Sequence, residues 1–182
     1  MTSDKQTAKR PYVRVAVFAL VTLVAYFADR ITKIYAMNEL QNGRKVPVFG
    51  KFLSFELVRN HGASLSIGSN STAVISVTAV ISSFVLAYFA FKTTSLPYLT
   101  ALSAAFAGTV GNLTDRIIYA DGFLDGPVTD FINYGWSVGN VADIEIVCAA
   151  AAMLCMFCFS VPFSENSDKE KSCGENSGGE KP

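Results

Sequence analysis

The chain has 182 residues, of which 51% are hydrophobic, 12% aromatic and only 16% charged, against roughly 25% charged in an ordinary soluble domain. Its 15 Lys and Arg balance 15 Asp and Glu, so there is no basic field to neutralise phosphates, and a nucleic-acid partner is not expected. The apolar residues are bunched into long runs rather than spread through amphipathic elements, which points to one membrane-embedded domain, residues 1–163, with a short tail behind it.

The first run, Val15 to Ala28, reaches the length of a span, about 12–31, only by taking in Asp29 and Arg30. A basic stretch precedes it, as in a cleaved signal peptide, but the exit Ala25-Tyr26-Phe27-Ala28-Asp29 lacks an A-x-A site, so a retained span is the better reading. The segment 32–70 follows, and its stretch Val46 to Val58 is rich in β-branched and aromatic residues broken at Pro47 and Gly50, which predicts a small sheet on the membrane surface. A second run gives a span at 72–91, where Ser76, Thr78, Ser82 and Ser83 are the only polar cluster at depth and read as helix-packing residues. A tight turn around Lys92 to Ser95 leads to a third span, 96–115, which includes Asn112, Thr114 and Asp115.

The connection 119–139 is acidic, with Asp121, Asp125 and Asp130, and it holds the only tryptophan, Trp136, where an interfacial aromatic is expected. A fourth span covers 142–162, and the polar remainder, 164–182, is predicted to be disordered. The fold class is therefore an integral membrane, mainly α protein with four transmembrane helices and a small extracytoplasmic β-rich element. An even number of spans puts both termini on one side, and Lys5, Lys9, Arg10 and Arg14 before the first span make that side the cytoplasm.

Cys148, Cys155 and Cys158 lie within the fourth span and read as small packing residues, while Cys173 is in the tail. The C-x-x-C at Cys155 has no second ligand pair, and His61 is the only histidine, so no metal site is expected.

Two Asn-x-x-Asp quartets carry the chemical signal: Asn112-Leu113-Thr114-Asp115 at the outer end of span three and Asn140-Val141-Ala142-Asp143 at the outer end of span four. On a helix, positions i and i+3 share a face, so each carboxylate has an amide one turn away. Asn140 can also be read as the N-cap of span four, with Asp143 favoured by the helix dipole in the first turn. Asp115 has no such explanation at a helix C-terminus, although Arg116 beside it can compensate. Carboxylates at membrane depth are functional by default, and two of them close together share a proton, one acting as base and the other as acid. Water held between such a pair can attack a carbonyl, which is peptide hydrolysis without a covalent intermediate.

Four blocks in order resemble the lipoprotein signal peptidases, or type II signal peptidases, over most of residues 12–160. They are Asp29-Arg30-Ile31-Thr32-Lys33, Asn60-His61-Gly62-Ala63-Ser64-Leu65-Ser66, the stretch Gly108 to Arg116 continued by Val128-Thr129-Asp130-Phe131-Ile132, and Asn140-Val141-Ala142-Asp143-Ile144-Glu145-Ile146. The resemblance implies an aspartic endopeptidase with Asp115 and Asp143 as its catalytic dyad. Asn60, Asn112, Arg116 and Asn140 would line the site, Asp29 and Lys33 would support it, and Gly108, Asp130 and Ala142 fall in the same blocks. It further implies a prolipoprotein substrate cut before its diacylglyceryl-modified cysteine, contact with membrane lipid, no cofactor, a monomer, and the bacterial cytoplasmic membrane as location. Ser64 and Leu65 replace the usual alanine and bulky aromatic, Gly139 replaces the usual phenylalanine, and the stretch from Arg116 to Val128 is longer than is usual in that family. The rival reading is a small transporter or proton-relay subunit using the same aspartates, and it predicts polar residues continuing through the spans, which are sparse.

Overall fold

The structure, a computed structural model, describes residues 11–50, 52–62 and 72–164. Lys5, Lys9, Arg10, Ser64, Leu65, Cys173 and the tail from 165 onward lie outside the described residues. Along the chain come α1 (Pro11–Glu39), β1 (Lys45–Phe49), β2 (Leu53–Asn60), α2 (Thr72–Lys92), α3 (Leu96–Ile118), β3 (Val128–Asn133), β4 (Val138–Gly139) and α4 (Val141–Cys158). Three of the long helices, α1, α2 and α4, are long and apolar enough to cross a membrane. The fourth, α3, is the central helix and packs against all three others. Its buried side includes a run of small residues, Ala101, Ser103, Ala105, Ala107, Gly108 and Gly111, and small residues let helix backbones approach closely.

Helix α1 runs eight residues beyond the expected end at 31. Its charged residues do not stop it, because Asp29 and Lys33 pair at i,i+4 and so support the helix. The added turns bring Ala36 and the following Leu40 against Phe131 and Ile132, a small core that seats the sheet on the helix ends. A single turn at Gln41–Gly43, with Asn42 at φ +59°, then swings the chain into β1, a conformation asparagine tolerates better than most residues.

The sheet is antiparallel in the order β1-β2-β3-β4. The predicted surface strands at 46–58 are present as β1 and β2, while β3 and β4 come from the connection 119–139, which was read only as an acidic loop. Pairing of Asn60 with Val128 and of Ser54 with Asn133 places Asp130 in the middle of β3, a strand buried from Val128 to Ile132.

Cys148, Cys155 and Cys158 are not packing residues; all three are exposed and free. Helix α4 turns Ala142 and Ala149 to the bundle, while Cys148 borders the cavity described below. Thr78 is also exposed, and it bonds only the Val74 carbonyl of its own helix. Ser76 and Ser83 are buried as helix-packing residues would be.

The closest backbone approach explains Gly108: a Cβ there would lie 2.6 Å from the Ala142 carbonyl oxygen. Gly108→Ala therefore wedges α3 from α4 and should lower stability by about 1–3 kcal/mol, measured as a reduced unfolding midpoint in detergent.

Candidate active site

The ends of the helices that meet the sheet bury four charged groups together. Asp29, Arg30 and Lys33 project from adjacent turns of α1, and Asp115 meets them from the last turn of α3. Asp29, Lys33 and Asp115 are wholly inaccessible to solvent. Lys33 Nζ lies 2.9 Å from Asp29 Oδ2 and 3.0 Å from Asp115 Oδ2, and it donates to Asn112 Oδ1 at 2.9 Å. Arg30 Nη1 pairs with Asp115 Oδ1. Two backbone amides complete the arrangement: Thr129 N–H donates to Asp115 Oδ2 at 3.0 Å, and Ala142 N–H donates to Asp29 Oδ1 at 3.1 Å. Gly111 is required beside it, since a Cβ there would sit 2.8 Å from Asp29 Oδ2.

The cluster thus has two carboxylates against two cations. It ties α1 to α3, to β3 and to the start of α4.

A second group of side chains surrounds Asn140, the buried N-cap of α4. Asn140 and Asp143 form a reciprocal capping box, with Asp143 N–H donating to Asn140 Oδ1 at 3.0 Å and Asn140 N–H donating to Asp143 Oδ2 at 3.1 Å. This satisfies two of the orphan amides at the helix start. The amide group of Asn140 also donates from Nδ2 to Asp130 Oδ1 at 2.6 Å and to Asn112 Oδ1 at 3.0 Å. Asn112 Nδ2 donates to Asp143 Oδ1 at 2.9 Å, and Asn60 Nδ2 donates to Asp130 Oδ2 at 2.8 Å.

Asp130 is pushed up to about 6, first by burial and then by the Asp143 charge, against the lowering effect of its Asn60 and Asn140 bonds and of Lys33.

Asp130 and Asp143 share the wall of a cavity of about 600 Å³ with Asn60, Asn112 and Arg116. Apolar side chains of α2 and α4, among them Ile75, Ile144 and Val147, form another part of the lining. Asp115 is not on that wall. The structure does not set Asp115 and Asp143 face to face across the cavity; the carboxylate facing it alongside Asp143 is Asp130.

Asp29, Lys33, Gly108, Asn140 and Ala142 stand behind the lining, and each reaches the site through a bond or a packing contact. Arg116 does not pair with Asp115 either. It donates from Nη2 to Gly62 O at 2.6 Å, so it holds the end of β2, while Arg30 and Lys33 compensate Asp115. The sequence marks Arg30 only as a charged residue at the end of the first span and in a motif block, Asp130 only as part of an acidic connection and a motif block, and gives Thr129 no role of its own. Among the described residues, no three His, Cys, Asp or Glu side chains converge as a metal site.

Long apolar helices packed on a central helix, with two carboxylates on one cavity wall at their sheet-bearing end, define a membrane protein with a buried polar site. The sequence profile of the family described as signal peptidase (SPase) II matches residues 21–159. The chain is 51% identical over 159 residues to the lipoprotein signal peptidase of Bifidobacterium longum (strain NCC 2705), covering 87% of each chain. It is 39% identical over 136 residues to the lipoprotein signal peptidase of Streptomyces coelicolor, covering 74% of this chain and 67% of the relative. A solved structure described as a bacterial membrane enzyme, obtained by the in meso method at 2.3 Å resolution, superposes with a TM-score of 0.69 at 26% identity, over 79% of this chain and 88% of the other. This chain belongs to the signal peptidase II family.

Replacing Lys33 by Met leaves Asp29 and Asp115 buried with one cation between them, which should cost about 3–5 kcal/mol at neutral pH. The deficit should shrink as pH falls and protonation removes the uncompensated charge. Unfolding midpoints of wild type and variant across a pH series measure both effects.

Proposed function

We propose that the chain is a membrane-embedded aspartyl endopeptidase that removes the signal peptide from diacylglyceryl-modified prolipoproteins by cutting before the lipidated cysteine, with Asp130 and Asp143 as its reacting pair. The observation that carries this assignment is the sorting of the carboxylates. Asp115 and Asp29 are neutralised by Arg30 and Lys33, whereas Asp130 and Asp143 border the cavity and are joined through the amides of Asn140. The expected dyad is thereby altered in one member. Asp143 is kept, and Asp115 becomes the residue that anchors α3 to α1 and, through Thr129, positions the strand carrying Asp130.

In this mechanism a water between the two carboxyls gives its proton to Asp143 as its oxygen attacks the scissile carbonyl carbon. Asp130 delivers its own proton to the carbonyl oxygen, and a neutral tetrahedral diol results. Collapse of the diol returns one proton to the leaving amine from Asp143 and the other to Asp130, so both groups end as they began. Arg116 and the surrounding asparagine amides limit the charge that builds up beside the substrate.

The apolar lining at Ile75, Ile144 and Val147 suits acyl chains, each buried CH₂ contributing about 0.8 kcal/mol. We further read α3 as the fourth span, with both termini in the cytoplasm and the site at the outer face. The relatives lend no support to a transporter role.

Asp143→Asn should lower kcat by about a thousandfold or more, because the amide cannot accept the proton from water. Asp125→Asn, whose amide oxygen can still accept from the Gly122 N–H, should stay active. Both are read with purified protein and a lipid-modified prolipoprotein, and the unlipidated form should be cut poorly or not at all. With the Asp130 proton lost near pH 6, kcat/KM should decline as pH rises above that point. The alkaline limb of kcat should lie at higher pH, because bound substrate excludes water and further disfavours the second charge.

A further inference from the structure

Tyr134 follows β3 in the turn to β4, where its N–H donates to Ser137 O at 2.8 Å, and it forms part of the cavity lining. Across that turn lies Gly139. A Cβ at position 139 would stand 2.9 Å from Asp143 Oδ2 and 3.5 Å from Tyr134 Cε2. The carboxylate oxygen and the ring edge next to the phenol carbon therefore flank one bare glycine. Trp136 supports the ring from the exposed side, with centroids 6.2 Å apart and planes tilted by 30°. Among the described residues the Tyr134 hydroxyl makes no hydrogen bond. It is a donor beside the reacting pair, held by its turn and by a neighbouring ring, with its own bond unmade.

We infer that Tyr134 is a further catalytic residue, whose hydroxyl donates a hydrogen bond to the scissile carbonyl oxygen as the tetrahedral adduct forms. The inference rests on the reading of Asp130 and Asp143 as the reacting pair. When water adds to the carbonyl carbon, the oxygen gains charge before the Asp130 proton has fully transferred. A fixed neutral donor in a desolvated cavity stabilises that charge without reorganising. Burial, with the charges of Asp143 and Asp130 next in effect, holds the phenol above its ordinary value, so it stays protonated and able to donate at neutral pH.

The test is Tyr134→Phe in the full chain, purified in detergent, with lipid-modified prolipoprotein as substrate. The ring and its packing are retained, so the unfolding midpoint should not move. The expected result is a kcat lower by about a hundredfold with KM within about twofold. A statine-type peptide, whose hydroxyl mimics the tetrahedral adduct, should bind the variant more weakly by a similar factor. Uncut lipopeptide should bind Asp143→Asn equally well with and without Tyr134→Phe. A kcat within twofold of wild type, or a loss confined to substrate affinity, overturns the inference. In either case an inactive Asp143→Asn leaves the aspartyl reading standing, whereas an active Asp143→Asn removes that reading as well.

Discussion

A carboxylate taken out of water costs several kcal/mol unless cations or N–H groups meet it, and the cost is severe near a bilayer. The sheet-bearing end of this bundle withdraws Asp29, Asp115 and Asp130 almost completely from solvent and sets Asp143 beside them. How each charge is met divides them into two kinds. Asp29 and Asp115 have Lys33 and Arg30 as counter-charges, so they act as fasteners between α1 and α3. Asp130 and Asp143 are met mainly by the neutral amides of Asn60, Asn112 and Asn140. An amide orients a carboxylate without cancelling its charge, and burial and the Asp143 charge push Asp130 up to about 6. The first pair keeps the architecture in place; the same architecture leaves the second on the cavity wall without a cation bonded to it among the described residues, which is the basis for proposing it as the reacting pair.

The two pairs are physically continuous. Lys33 reaches Asn112, Asn112 reaches both Asp143 and Asn140, and Asn140 reaches Asp130. A change in the fastening cluster is therefore transmitted to the cavity through side chains of fixed length. Backbone approach enforces the same register. Gly108 and Gly111 let α3 close on Ala142 and on Asp29, which brings the start of α4, and with it the capping box, up against the cluster. Substitutions at these glycines act on chemistry by moving a helix end.

Much of this was legible in the sequence because periodicity and spacing report helix faces. The four long helices, the Asn140 cap with Asp143 in the first turn, the surface strands at 46–58 and the motif blocks all follow from local pattern. The partners of Asp115 do not. The two Asn-x-x-Asp quartets are identical in spacing, yet one ends against two cations of α1 and the other opens on a cavity, and only the tertiary packing of α1 tells them apart. The partner of Arg30 is hidden for the same reason: its place at the end of the first span is plain from the sequence, but whether its side chain faces water or Asp115 is not. Asp130 sits on a strand that is buried on both sides, so it lacks the alternation that would have marked β3, and the acidic loop around it hid the strand. The exposed cysteines of α4 show that an apolar helix in a bilayer need not turn its small residues inward.

The most direct measurement is a structure of the protein with a statine-type peptide in the cavity. The account predicts the hydroxyl of the mimic within hydrogen-bonding distance of both Asp130 and Asp143, with Asp115 still bound to Arg30 and Lys33. A hydroxyl bridging Asp115 and Asp143, with the ion pairs to α1 broken, would contradict it.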